Sequence, residues 1–582
     1  MKTKKHYDNT KSGKNFDICG IITRTRKHNL KLMTKKALVF FVFAGIAAAS
    51  SCNCVSEKQC RDAGASELVT SAEATVVRTV SGKVAGYVDD GIFTYKGIPY
   101  AKAERFMPPV PADPWEGVRS SRAYGPTCPQ EKRTGWYSDE QAFAYDWNDG
   151  FPDEDCLRVN IWTPGINDGK KRPVMVWLHG GGYAQGSGQE QPSYDGRNLA
   201  AKGDVVVVTL NHRLNVLGFL DLSEFGEKYA ESGNAGLLDL VAALDWIQEN
   251  ISDFGGDASN VTIFGQSGGG GKVTTLLATP SAEGKYHKAV VQSGAMMTTM
   301  ESKWSRKIGA AVVEELGIAP GKIDEIQKIP YDRLLEAGTK AVAKIRPEAL
   351  EAGYSSFIFG WAPTVDGNVL PRQPFAPDAP EQSRNVPMMI GTTIHEFTMS
   401  SYIPQLKNAS REDVISFVRT TYGEKTDEFV SLFEKTYPNH QPIDMIDVDF
   451  IFRPGTVGQA GLKADQDGAP VYMYMFAWES PVLDGIFRSN HCMEIPFVFY
   501  NTDVHSSMTG GGKDAMKLAD KMSQAWINFA YTGNPQAKGL PEWPAYDREK
   551  GAAMIFNNRC EVKFNHDKEL IEFMKQFPFQ GF

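Results

Sequence analysis

From residue 75 onward, short apolar runs alternate with segments of helical spacing. The first stretches, Val76–Val80, Val84–Val88 and Gly91–Ala101, are broken by Gly and Asp turn signals and predict antiparallel hairpins. Further on come Val174–Leu178, Val205–Leu210, Val261–Phe264, Ala289–Val291, Pro387–Ile390 and Val471–Met475, apolar at nearly every position. A strand that is apolar without alternation is one buried on both faces. Between the second and third of these runs, residues 236–251 place Leu237, Val241, Leu244 and Ile247 at helical spacing. Strand, helix, strand predicts a parallel sheet with right-handed crossovers and helices on both faces. No Pro/Gly/Ser linker interrupts residues 75–582, so the expectation is one large α/β domain with insertions.

The chain's start follows a different pattern. Residues 1–36 carry eleven Lys/Arg against Asp8 and Asp17, a net +9, so the overall −8 of the 582-residue chain leaves −17 beyond the leader. That acidity disfavours nucleic acid, or an anionic membrane surface, as the partner of the folded body. Ala37–Ala49 is an uncharged run of thirteen residues between Lys35–Lys36 and Ser50–Ser51, the order of a secretory leader. It is shorter than a membrane span requires. Residues 1–51 are therefore expected to be a leader, with Met33 an alternative start, and polar residues 52–74 a tether. Ala49–Cys52 is similar to a bacterial lipobox, although Ala49 stands where such boxes prefer Leu. Cys52 is thus a lipidation candidate, with ordinary leader cleavage as the alternative. Either reading places the protein in the periplasm or cell envelope. Beyond the leader and tether lie Cys128, Cys156, Cys492 and Cys560, with no CxxC pair and no zinc-type spacing.

Chemistry concentrates at Gly265–Gly269 (GQSGG), placed directly after the apolar run Val261–Phe264 and before the helix-compatible Lys272–Ala278. In a strand–turn–helix context GxSxG is a nucleophile elbow, whose small residues tolerate the turn that exposes the Ser267 hydroxyl. A second motif, His179–Gly182 (HGGG), follows the run Val174–Leu178. Its amides at Gly181 and Gly182, with that of Gly268, could converge on the oxyanion of acyl transfer. No phosphate-loop or dinucleotide motif follows a strand. A serine nucleophile needs a base, and six histidines follow it: His287, His395, His440, His491, His505 and His566. Spacing does not choose among them, although His491 lies between a strand and apolar Ile495–Phe499. Glu396, after Pro387–Ile390 and a polar turn, is the analogous acid.

These residues carry a resemblance. Phe254–Gly269 fits the serine signature of the type-B carboxylesterases, α/β-hydrolases that include bacterial para-nitrobenzyl esterases and cholinesterases, and Glu154–Pro164 fits their second signature. Gly391–Glu396 resembles the family's acid-bearing turn and His491–Phe499 its histidine motif. The resemblance implies an α/β-hydrolase fold and a triad of Ser267, Glu396 and His491. It further implies a Cys128–Cys156 disulfide and the ion pairs Arg105–Glu154 and Arg213–Asp239. Three positions depart from the pattern: Gln266 replaces the acid that cholinesterases carry, Gly268 replaces the commoner Ala, and Leu240 a common Gln.

The expected activity is hydrolysis of small-molecule carboxylic esters by water through an acyl-enzyme on Ser267, with no metal or organic cofactor. Two rivals remain. One is an amidase or lactonase using the same triad. The other is a catalytically silent binding module, as in adhesion proteins of the same family, which the intact triad and glycine motif disfavour.

Overall fold

The computed structural model describes residues 68–131, 138–319, 321–354 and 359–577. Residues 1–51, including the leader and Met33, lie outside these, as does Cys52. The described residues begin within the stretch read as tether, where apolar Val69 pairs through both backbone groups with Val88.

Eleven strands form the central sheet: β1 (Tyr87–Asp89), β2 (Ile92–Pro99), β3 (Arg158–Thr163), β4 (Arg172–Leu178), β5 (Val206–Leu210), β6 (Gly256–Gln266), β7 (Lys288–Gln292), β8 (Met388–Thr393), β9 (Val471–Phe476), β10 (Ala552–Phe556) and β11 (Glu561–Phe564). Their spatial order is β11-β10-β9-β8-β7-β6-β4-β5-β3-β2-β1. The pairs from β10 through to β5 are parallel, and the strands at both margins pair antiparallel. Ahead of the sheet, Val76–Thr79 and Gly82–Ala85 make the expected antiparallel hairpin.

Two-sided burial explains the continuous apolar runs. In β4, Val174, Val176 and Leu178 enter the core on one face, which also holds Leu237, Leu244 and Ile247 of α1 (Ala235–Asn250). Met175 and Trp177 enter the opposite core. β6 begins at Gly256, five residues before its apolar run, and its register against β4 shifts between Gly256 and Val261. The polar segment Asp257–Asn260 hides this extension from hydropathy.

After β6 comes α2 (Gly268–Leu276), whose first turn is four glycines. Each glycine costs about 1 kcal/mol of helix propensity relative to Ala. Packing accounts for them: a Cβ on Gly269 would stand 1.9 Å from the Leu178 carbonyl oxygen. The helix therefore lies backbone against backbone on the end of β4, where the glycine loop starts. In an open parallel sheet the carboxyl ends of the strands form the binding edge. Ser267 follows β6 directly, the glycine loop follows β4, and Glu396 comes three residues after β8.

Candidate active site

Ser267 holds φ 58° and ψ −125°, a left-handed conformation that costs a non-glycine residue energy and marks the tip of a sharp elbow. Its amide donates to the Gln292 carbonyl of β7 at 2.8 Å, and its own carbonyl accepts from Gly271 at 3.0 Å. Its side chain is partly exposed to a cavity of about 480 Å³, bordered also by Gly180–Gly182, Gly268 and His491.

The glycine loop turns through Gly181 (φ +82°) and Gly182 (φ +64°). Among the described residues, the N–H groups of Gly181, Gly182 and Gly268 donate no hydrogen bond inside the protein. Three unspent amides meeting beside a serine have the arrangement required of an oxyanion hole. Gly268 lies so close to the loop that a Cβ there would be 2.3 Å from the Gly182 carbonyl oxygen.

Of the six histidines, His491 is the one that meets Glu396. His491 Nδ1 meets Glu396 Oε2 at 2.5 Å, and its backbone amide donates to the Glu396 carbonyl at 2.8 Å. Glu396 Oε1 accepts from the Thr393 amide at 2.8 Å. The His491 ring stacks against Phe397 and Phe452, centroids 5.0 and 5.4 Å away. Tyr145 donates its hydroxyl to the His491 carbonyl at 3.0 Å. The other histidines have other company. His395 faces Asp444, His440 contacts the Tyr437 carbonyl, His505 contacts Ser193, His287 contacts the Val261 amide, and His566 lies beside Asp567.

Among the described residues no hydrogen bond joins Ser267 to His491. Gln266 Nε2 instead stands 3.2 Å from both ring nitrogens of His491. Catalytic contacts are often long without substrate and tighten around it. Burial pushes the Glu396 carboxyl up to about 7, with the Ser293 hydroxyl and the Thr393 amide acting in the opposite direction. Near this pair, Asp449 and Glu494 are also buried and also held at about 7, by burial first and then by the charge of Glu396.

Comparison with known proteins follows this geometry. Residues 73–574 match the Carboxylesterase family. The chain belongs to that family. It is 37% identical to the para-nitrobenzyl esterase of Bacillus subtilis over 516 residues, which covers 87% of this chain and 99% of that one. It is 32% identical to the phenmedipham hydrolase of Pseudarthrobacter oxydans, with 82% and 94% coverage. Among solved structures, an esterase of Clostridium hathewayi that can hydrolyze aliphatic aromatic polyesters superposes with a TM-score of 0.79 at 37% identity, covering 88% of this chain and all of that one. The protein is a carboxylic ester hydrolase of the α/β-hydrolase fold.

In this esterase both implied ion pairs are present. Arg213 Nε and Nη2 donate to the two Asp239 oxygens at 2.8 and 2.6 Å, fully buried, and Arg105 Nε donates to Glu154 at 2.7 Å. The disulfide is not present: Cys128 and Cys156 are free thiols, both buried. The neck of the loop they flank is closed without a covalent bond, by Thr127 and Phe151 and by Asp153 and Thr127, each pair joined at 3.0 Å. A hydrogen bond to Cys128, together with burial, keeps the Cys156 thiol well above its ordinary range. In the same loop Trp147 lines the cavity, Tyr145 is buried behind His491 and Phe143 is exposed. Gly268 has a packing reason of its own. It tightens the elbow, because the glycine loop occupies the space of a side chain. Phe397, Phe452 and Lys272 had no sequence signal of their own, since motifs mark reacting groups and not what packs on them.

Proposed function

We propose that Ser267, His491 and Glu396 act as nucleophile, general base and orienting acid. The amides of Gly181, Gly182 and Gly268 serve as the oxyanion hole. The observation that carries this reading is the Glu396–His491 pair bordering the same cavity as a strained serine and three unspent amides. His491 takes the proton of Ser267 as its hydroxyl attacks the ester carbonyl. The three amides receive the oxyanion. His491 then protonates the departing alcohol, and water activated by the same ring releases the acid. Labelling with a fluorophosphonate tests the nucleophile: wild type should label and Ser267→Ala should not. An unlabelled wild type, or undiminished labelling of the variant, would overturn the assignment.

The cavity walls favour esters with a bulky apolar or aromatic group. Trp147, Tyr183, Tyr194, Met296, Trp361 and Phe452 line a space within the range that holds drug-sized ligands. Nitrophenyl esters of increasing acyl length give the profile, and a preference for acetyl over every longer chain would count against it. Export through residues 1–51, with Cys52 as a lipid-bearing first residue, belongs to the same reading. Mass spectrometry of mature protein from its own cell envelope tests these features together. An unmodified start away from Cys52 would refute the lipid.

A further inference from the structure

Lys272 lies in the second turn of α2, four residues beyond Gly268, and has no exposed surface. Its Nζ donates to the His179 carbonyl oxygen at 2.8 Å and stands 5.9 Å from the centre of the Tyr183 ring. His179 and Tyr183 are the two residues that flank Gly180–Gly182. The ammonium therefore grips the start of the glycine loop and packs against the residue that ends it. An apolar side chain of the same length would fill this space without the penalty of burying a charge, so packing alone does not explain a lysine here.

A buried histidine pair adjoins it. His212 stacks on His179 with centroids 5.3 Å apart. Burial, and after it the charge of Lys272, holds the His212 imidazole well below its usual range and so neutral. The first turn of α2 also presses on the loop, since the Cβ position of Gly268 falls 2.4 Å from both N and Cα of Gly182. The backbone of Gly268 thus bears on the end of the loop and the ammonium of Lys272 on its start.

We propose that Lys272 is a positioning residue of the oxyanion hole, its ammonium pinning the His179 carbonyl so that the Gly181 and Gly182 amides hold their aim and a fixed positive charge rests against the loop that receives the oxyanion. This rests on the oxyanion-hole assignment above. Donors preorganised toward developing charge contribute to the transition state and little to the bound ester. Their loss consequently falls on kcat.

The test uses Lys272→Met, which keeps the volume, and Lys272→Gln, which keeps a donor without the charge. Each is measured for kcat and KM on a nitrophenyl ester, for affinity toward a trifluoromethyl ketone whose serine adduct bears the oxyanion, and for thermal midpoint. The expected result for Lys272→Met is a kcat reduced on the order of 10²-fold with KM within about twofold, because misplacing catalytic groups by about an ångström costs that much. Affinity for the ketone should fall by the same factor. Lys272→Gln should lie between Met and wild type. A loss confined to KM, ketone affinity that does not follow kcat, or failure of both variants to fold would each overturn the proposal, the last by showing a structural role only. Fluorophosphonate labelling of the wild type reports on Ser267 independently, so failure of the triad assignment is seen separately.

Discussion

Replacing Gly268 with alanine, the commoner residue of the family, should damage this enzyme. A Cβ at 268 would stand 2.3 Å from the Gly182 oxygen and 2.4 Å from its Cα and N, all backbone atoms that cannot rotate aside. Ordinary contact begins at about 3.4 Å, so the glycine loop must retreat by roughly 1 Å. Overpacking of this kind typically costs about 1–3 kcal/mol of stability. The catalytic cost is separate. The retreat draws the Gly181 and Gly182 amides away from the oxyanion, and loss of one such donor is worth on the order of 10²–10³ in kcat. The expectation for Gly268→Ala is therefore a kcat about 10²-fold lower, equivalent to about 2.7 kcal/mol at the transition state, with KM nearly unchanged. Steady-state kinetics on a nitrophenyl ester, referenced to fluorophosphonate-titrated sites, measures it. A variant with wild-type kcat, or one impaired only in KM, would refute the view that the elbow and the loop share this space.

Further outcomes follow from the buried charges. Because burial holds Glu396 at about 7, kcat/KM should fall as pH drops through 7 while the protein stays folded, measured with an ester stable over that range. Glu494 is held at about 7 in the folded state, above the ordinary carboxylate value, so the native protein binds the extra proton and stability should fall as pH rises from about 4.5 to 7. Glu396 and Asp449 contribute in the same sense, so Glu494→Gln removes only the Glu494 share of that slope, and its thermal midpoint should gain on wild type as pH increases. Asp239→Asn leaves the Arg213 guanidinium buried beside a neutral partner and should cost about 3–5 kcal/mol in urea unfolding, with kcat preserved in the folded fraction.

Most of the sheet was legible because two-sided burial demands apolar residues at consecutive positions, and β4, β5 and β9 have no other way to be satisfied. The missed portions obey other physics. Residues 257–260 extend β6 through backbone geometry while their side chains stay polar, and the glycines opening α2 look like a loop until their contact with Leu178 is seen. Ser267 and the glycine loop were readable because their function requires small neighbours at fixed offsets. The base was not, since six histidines differ only in what the fold brings to them, and the resemblance rather than spacing singled out His491. Lys272 was beyond reach for the same reason: its partner is a carbonyl 93 positions away.

Tyr145 donates to the carbonyl of His491 across 346 positions of sequence, and Ser267 comes from the stretch between them. On the proposed assignment a growing chain carries its nucleophile long before its base exists. Synthesis must pass residue 491, and the two distant segments must meet, before an ester can be cleaved. The polypeptide is chemically silent until then, and the first turnover of a new molecule doubles as a signal that these segments have found each other.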